Sequence, residues 1–273
     1  MKHILVTGCS SGIGRCIADG LKERGFNVFV TARKQEDIDT LSKAGFEAIM
    51  LDLADTKSIQ AAVVTLLSKT DGQLYGLVNN AAYGLTGAME DIPVMALRDQ
   101  FETNIFGTQE LTNLLIPVMR KQHAGRIIQI SSVLGFITMK FRGPYCASKY
   151  ALEAISDAMR YELSDTGIKV SLIEPGPITS NFRNNALNNF QAVVNKEHSY
   201  FKEDYAKIEN ELNGDDYTVP FSLGPEAVLK KVVHALESDN PKARYYVTYP
   251  TYLFAFFKRI LPGFLLDKLL VRV

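Results

Sequence analysis

Net charge is missing from this chain: Lys and Arg number 30, and Asp and Glu also number 30. Nucleic acid is gripped by a concentrated positive surface, so this balance argues against it as a partner. Cysteine is scarce as well. Cys9, Cys16 and Cys146 form no CxxC pair and no metal-ligand spacing, and His3, His123, His198 and His234 add none. No disulfide scaffold and no metal site is expected, and free thiols suit a reducing cytoplasm. Long apolar runs are absent too, since no stretch reaches the roughly 18 uncharged residues that would cross a bilayer. Residues 1–3 lead straight into Ile4-Leu5-Val6 and a glycine-rich turn, which leaves no room for a signal peptide. A soluble protein, at most surface-bound, is expected.

What is present is ample apolar material, 47% of residues, laid out in a rhythm. Residues 4–7, 28–31, 48–51, 77–78, 126–130 and 169–173 form short apolar runs, as strands buried on both faces do. Helical periodicity fills the intervals at 13–24, 57–68, 95–120 and 145–164. The alternation predicts one α/β domain, a Rossmann-like doubly wound parallel sheet with helices on both faces. After Pro175-Gly176-Pro177 the rhythm fails. Residues 178–222 are polar and weakly periodic, which reads as a helical substrate lid that stays mobile until ligand orders it. A helix at 226–237 and a strand at 245–248 close the domain, which spans 1–248.

Residues 249–273 form a helical tail that Pro262-Gly263 divides in two. It is rich in Phe and Leu and carries Lys258, Arg259, Lys268 and Arg272 against Asp267. Such a tail packs on its own domain, packs on a second subunit, or lies peripherally on a membrane.

Two segments carry chemistry. Thr7-Gly8-Cys9-Ser10-Ser11-Gly12-Ile13-Gly14 follows the first strand and opens the first helix. Glycines there let the backbone approach a pyrophosphate, whose charge the helix N-terminus meets. The second strand ends Thr31-Ala32-Arg33-Lys34. An acidic residue near this point would bind the ribose hydroxyls of NAD; Arg33 instead suits the 2′-phosphate of NADP. Further on, Tyr145 and Lys149 stand at i and i+4, on one face of a helix. Ser132 ends a strand, so it shares the carboxyl rim of the sheet with the glycine turn. Aromatic residues at Tyr83, Phe136, Phe141 and Phe182 are placed on the same rim, which suggests an apolar pocket.

The T-G-x-x-x-G-x-G spacing resembles the glycine motif of the short-chain dehydrogenases/reductases. Asn104, Ser132, Tyr145 and Lys149 match that family's catalytic tetrad in order and spacing. The resemblance implies further roles. Ser10 would bind the 2′-phosphate, Asp52 with Leu53 the adenine, and Asn80-Ala81 in Asn79-Asn80-Ala81-Ala82 would stand for the family's N-N-A-G. Pro175, Gly176, Ile178 and Thr179 would lie on the nicotinamide side, Lys149 would bind its ribose, and Asn104 would fix a water. A free tyrosine titrates near about 10, so Lys149 and the cationic nicotinamide are expected to lower the value for Tyr145.

The wording of several segments is similar to bacterial NADP-dependent aldehyde reductases, and shares much with hydroxysteroid and retinol dehydrogenases. That implies an oxidoreductase acting on a small apolar carbonyl/alcohol pair, as a homo-oligomer of two or four copies. Two other classes stay open: an NADP(H)-binding regulatory protein without turnover, and a sugar-nucleotide epimerase of the longer related branch. The glycine spacing and chain length both differ from the latter.

Overall fold

In the computed structural model, which describes residues 2–213 and 220–271, seven strands make one sheet. They are β1 (His3–Val6), β2 (Asn27–Ala32), β3 (Glu47–Met50), β4 (Gly76–Asn79), β5 (Gly125–Ile130), β6 (Ile168–Glu174) and β7 (Arg244–Tyr246). Their spatial order is β3-β2-β1-β4-β5-β6-β7, with every pairing parallel. Parallel neighbours need crossovers, and helices supply them on both faces: α1 (Gly12–Glu23), α2 (Gln35–Lys43), α3 (Thr56–Lys69), α4 (Val94–Phe101), α5 (Thr108–Lys121), α6 (Gly143–Glu162) and, between β6 and β7, α7 (Phe182–Val193), α8 (Lys202–Asn213) and α9 (Glu226–Glu237).

Side chains alternate across a strand, so each strand feeds two cores. In β1, Ile4 and Val6 pack with Ile17 and Leu21 of α1 and with Val232 and Leu236 of α9. Leu5, between them, joins Ile59 and Leu66 of α3 and Leu111 and Leu115 of α5 on the other face. The chain winds outward from β1 to β3 and then returns to place β4 beside β1. At that reversal the helices that follow β1 and β4 lie on opposite faces of the sheet, the arrangement that leaves a crevice outside the strands' carboxyl ends.

The sheet follows the apolar runs strand by strand, but the helices depart from their periodicity in two places. Residues 35–43 were not expected to be helical, because only Ile38 and Leu41 of α2 are buried among mostly charged neighbours. The helix expected over 95–120 is interrupted by a π-turn at Glu102–Gly107, which separates α4 from α5. There Thr108 donates its hydroxyl to the carbonyl of Thr103, 3.1 Å away and five residues back. Single π-turns of this kind concentrate at functional positions, and this one carries Asn104.

The segment 178–222 is helical, as expected of the lid. Residues 214–219 lie outside the described residues, but the rest is not a loose loop. Ala186, Leu187 and Phe190 of α7 are buried at helical spacing. They meet Tyr205 and Ile208 of α8 and Leu85 and Ile92 of the body in a third apolar cluster. Tyr205 is fully buried; its hydroxyl donates to the carboxylate of Asp91 and accepts the N–H of Ala88 at 2.9 Å. The tail forms two helices, α10 (Tyr249–Ile260) and α11 (Gly263–Leu270), divided at Pro262 as expected. Arg272 and Val273 lie outside the described residues.

Candidate active site

At the end of β1 the chain turns through Gly8 and Gly12, whose φ values are +69° and +58°, a region unfavourable to residues with a Cβ. A Cβ on Gly14 would stand 2.2 Å from the carbonyl oxygen of Gly8, so the turn closes only with glycine there. Ser10 is exposed on the turn. Ser11 caps α1 without a side-chain hydrogen bond, and the first turn carries no acidic residue. Its free N–H groups and the helix dipole therefore favour an anion.

Thr7 fastens this turn to the neighbouring strand end. Its hydroxyl accepts the N–H groups of Asn80 at 3.0 Å and Ala81 at 2.9 Å. The amide of Asn80 donates back to the carbonyls of Thr7 and Gly8, at 3.0 and 3.1 Å. A role for Thr7 was missed in the sequence, although its place directly before Gly8 was the available signal. Arg33 is exposed at the end of β2, while its neighbour Lys34 pairs with Glu36 at 3.2 Å. Asp52 accepts the N–H of Ala54 at 2.9 Å, and Leu53 is buried beside it. A Cβ on Gly107 would fall 1.7 Å from the Leu53 carbonyl oxygen, so glycine lets the π-turn lie against this strand end.

The chemistry-bearing residues converge at the ends of β4, β5 and β6. Ser132 leaves β5 and accepts the N–H of Leu134 at 3.1 Å. It also hydrogen-bonds the hydroxyl of Tyr145, which stands in the first turn of α6. Burial pushes the Tyr145 phenol above its ordinary value, and the Ser132 hydrogen bond offsets only part of that. The expected lowering by Lys149 is therefore not seen, for a geometric reason. The Lys149 ammonium donates to the carbonyl of Ile130 at 2.8 Å and lies 5.6 Å from the centre of the Tyr145 ring. Burial drives Lys149 itself down to about 8, against the opposing attraction of Glu153.

Asn104 is fully engaged by protein groups. Its amide nitrogen donates to the carbonyl of Tyr83 at 3.0 Å and to the hydroxyl of Ser148 at 3.1 Å, and its oxygen accepts the N–H of Tyr83 at 3.2 Å. Ser148 in turn donates to the backbone carbonyl of Tyr145 at 2.8 Å, which links the π-turn to the first turn of α6 through one hydroxyl. Sequence reasoning passed over Ser148 even though it lies inside the Tyr-x-x-x-Lys span. It also passed over Glu153, one turn beyond Lys149 on the same face. Glu153, Glu174 and Asp157 all bind Arg244, at 3.1, 3.2 and 2.8 Å, and Glu153 lies against Gly135 in the short helix after Ser132. Burial and the neighbouring Glu153 carboxylate hold Glu174 well above the usual carboxylate range.

Past β6, the Pro175 carbonyl accepts the N–H of Val133 at 2.7 Å, which ties this loop to Ser132. Gly176 lies where a Cβ would strike the hydroxyl of Thr248 at 2.2 Å. Ile178 and Thr179 pair with Leu223, the Thr179 N–H reaching its carbonyl at 2.9 Å, so both ends of the 178–222 segment meet at the site. Of the four rim aromatics, the structure places two at the chemistry. Phe182 lies 5.3 Å from the Tyr145 ring, and Tyr83 holds Asn104 through its backbone N–H and carbonyl. Phe141 instead packs on Phe201 and Tyr205, and Phe136 on Tyr246, because the turn at Phe141 and the short helix after Ser132 carry them away. Among the described residues no group of His, Cys, Asp and Glu is placed to hold a metal.

A family model described as short chain dehydrogenase matches residues 2–190. The chain is 43% identical over 269 residues to the oxidoreductase YbbO of Escherichia coli K12, covering 98% of this chain and 94% of that one. It is 35% identical over 279 residues to the NADPH-dependent 3-dehydrocapnine reductase of Ornithobacterium rhinotracheale, covering 98% and 96%. The structure is similar to that of a short-chain dehydrogenase from Streptomyces avermitilis, with a TM-score of 0.78 at 30% identity over 93% of this chain and 90% of that one. With a parallel doubly wound sheet, a glycine cradle at its reversal and a Ser–Tyr–Lys group on the same rim, the chain belongs to the short-chain dehydrogenase family of oxidoreductases, whose members bind a nicotinamide cofactor.

Proposed function

We propose that this protein reduces an apolar aldehyde or ketone to the alcohol with NADPH. The observation that carries the reading is the joint placement of Ser132, Tyr145 and Lys149, with the Phe182 ring against Tyr145, beside the glycine cradle. The residues fit the cofactor. Gly8, Ser11, Gly12, Ile13 and Gly14 would hold the pyrophosphate, Ser10 and Arg33 the 2′-phosphate, and Asp52 and Leu53 the adenine. Asn80, Ala81, Pro175, Gly176, Ile178 and Thr179 would line the path to the nicotinamide half. The NADPH-dependent relative supports that choice of cofactor. When bound, the cofactor supplies the hydride.

The chain's own residues do the rest. Ser132 donates a hydrogen bond to the carbonyl oxygen and holds it beside the phenol. Tyr145 gives its proton as negative charge develops on that oxygen, which requires an acid within hydrogen-bond reach. A phenol kept protonated by burial suits that direction. Lys149, once its ammonium leaves the Ile130 carbonyl, favours the phenolate that remains and holds the nicotinamide ribose. Asn104 positions Tyr145 through Ser148. Phe182 and Tyr83 make the approach apolar, so hydrocarbon is preferred over charged substrates. Residues 178–222 act as the lid of a domain spanning 1–248, and 249–273 form the tail.

NADPH consumption over aliphatic, aromatic and isoprenoid aldehydes and ketosteroids tests this. Turnover is expected for apolar carbonyls and not for charged ones. Binding of NADPH without turnover on any of them would overturn the reading in favour of a cofactor-binding regulator.

A further inference from the structure

A helix on a protein surface normally turns its polar side to water. α10 does the opposite. Tyr249, Tyr252, Phe256 and Ile260 follow one another at helical spacing along its outer side, and they are 61, 50, 58 and 58% exposed. Thr251 is the one buried residue of α10, and α11 has none. Past Pro262 the same surface continues through Phe264 and Leu265, the former 64% exposed. The inner side of α10 is docked firmly. Thr251 is buried there and Lys258 reaches the carbonyl of Phe136 and the hydroxyl of Tyr150, while the Tyr252 ring leans on Tyr246 at 5.3 Å at the margin of the stripe. The apolar stripe is therefore held outward by a helix that is fixed to the body.

The stripe does not end at the tail. The Tyr249 ring lies 5.3 Å from Phe221, which is 63% exposed, and Leu223 pairs with Ile178 at the mouth of the site. Apolar surface thus extends from α10 to Phe221, two residues from the Leu223 bridge to Ile178. A contiguous patch of this kind marks a site of association.

Charge decides the occupant. With Lys258 held against the body, α10 keeps Arg259 exposed and has no carboxylate, and in α11 Lys268 stands beside Asp267, in a chain whose basic and acidic residues balance at 30 each. A second copy meeting the stripe about a two-fold axis would set Arg259 and its equivalent on the same small face, like charge against like. An anionic lipid surface satisfies both features, taking the apolar side chains into its acyl boundary and the cations onto its head groups. Tyrosine, which is apolar in the ring and polar at the tip, suits that boundary at Tyr249 and Tyr252. We propose that the outer face of α10 and α11 seats the protein on an anionic bilayer, with the catalytic mouth at the lipid edge, so that its carbonyl substrates enter from the membrane. The statement about substrates rests on the reading under Proposed function; the docking surface does not.

Sedimentation with vesicles tests the docking directly. Full-length protein is expected to pellet with vesicles of phosphatidylcholine and phosphatidylglycerol at low salt, and less with phosphatidylcholine alone or in high salt. The double variant Phe256→Glu, Ile260→Glu should stay in the supernatant while its NADPH consumption with a short water-soluble aldehyde is unchanged. If that variant fails to fold, Arg259→Glu with Lys268→Glu serves, and should weaken pelleting on the anionic vesicles at least several-fold. Wild-type protein that stays in the supernatant with anionic vesicles at low salt overturns the proposal. So does light scattering in which Phe256→Glu, Ile260→Glu converts a wild-type dimer to monomer, since a second copy would then own the stripe. Pelleting is read without turnover, so a protein that pellets yet reduces nothing upholds the docking surface and overturns the catalytic reading.

Discussion

A single cation at the end of β2 is asked to choose the cofactor. Arg33 is exposed and faces the crevice end of the sheet, with Lys34 already paired to Glu36. A guanidinium on a phosphate is a charge-assisted contact, and such bonds contribute about 1.5–3 kcal/mol. Arg33→Ala should therefore weaken NADPH binding by about that amount and leave NADH nearly unchanged, as titration of cofactor fluorescence would show. Equal loss for both cofactors would contradict the assignment. Lys149 makes a second prediction at this scale. Its ordinary value of 10.5 falls to about 8 in the fold, so between those values the unfolded chain holds the proton more tightly. Stability contributed at this position then rises with pH across that window, by about 1.4 kcal/mol for each pH unit. Urea denaturation of wild-type protein and Lys149→Met should diverge in favour of the wild type from pH 8 upward. A constant difference would show that burial does not control this lysine.

Among the elements, the lid and the π-turn show what periodicity conceals. Residues 178–222 are polar overall, and their apolar positions are divided between two helices. The pattern becomes visible only when Leu187 and Phe190 of α7 are set against Tyr205 of α8. Because those residues share a cluster with Leu85 and Ile92, α7 and α8 should show protected amides in hydrogen exchange before any ligand is added. Exchange as fast as in an unfolded chain would restore the expectation of a mobile lid. The π-turn was concealed differently. Residues 95–120 keep an apolar period throughout, and nothing in that period marks the π-turn at Glu102–Gly107. The network of Arg244 with Glu153, Asp157 and Glu174 joins α6, β6 and β7, so its members lie too far apart in the chain for spacing to pair them.

At the scale of the whole molecule, the parallel layered architecture follows from chemistry that one sequence displays well. Continuous apolar runs such as Ile4-Leu5-Val6 must be covered on both faces, and helices between them must cross in the right-handed sense. The glycine turn and the Tyr145–Lys149 pair were legible because their spacing is local. The outward stripe of α10 was not legible, because composition shows that a helix is apolar without showing which side the body leaves bare. What the fold assembles is one rim where a phosphate cradle, a buried phenol and an apolar approach meet. The most direct test of that account is steady-state turnover of an apolar aldehyde with NADPH by wild-type protein and by Tyr145→Phe, with cofactor binding measured on both. Loss of a general acid costs at least about a hundredfold. The account predicts that fall in kcat with NADPH binding intact; a Tyr145→Phe enzyme that turns over at the wild-type rate would contradict it.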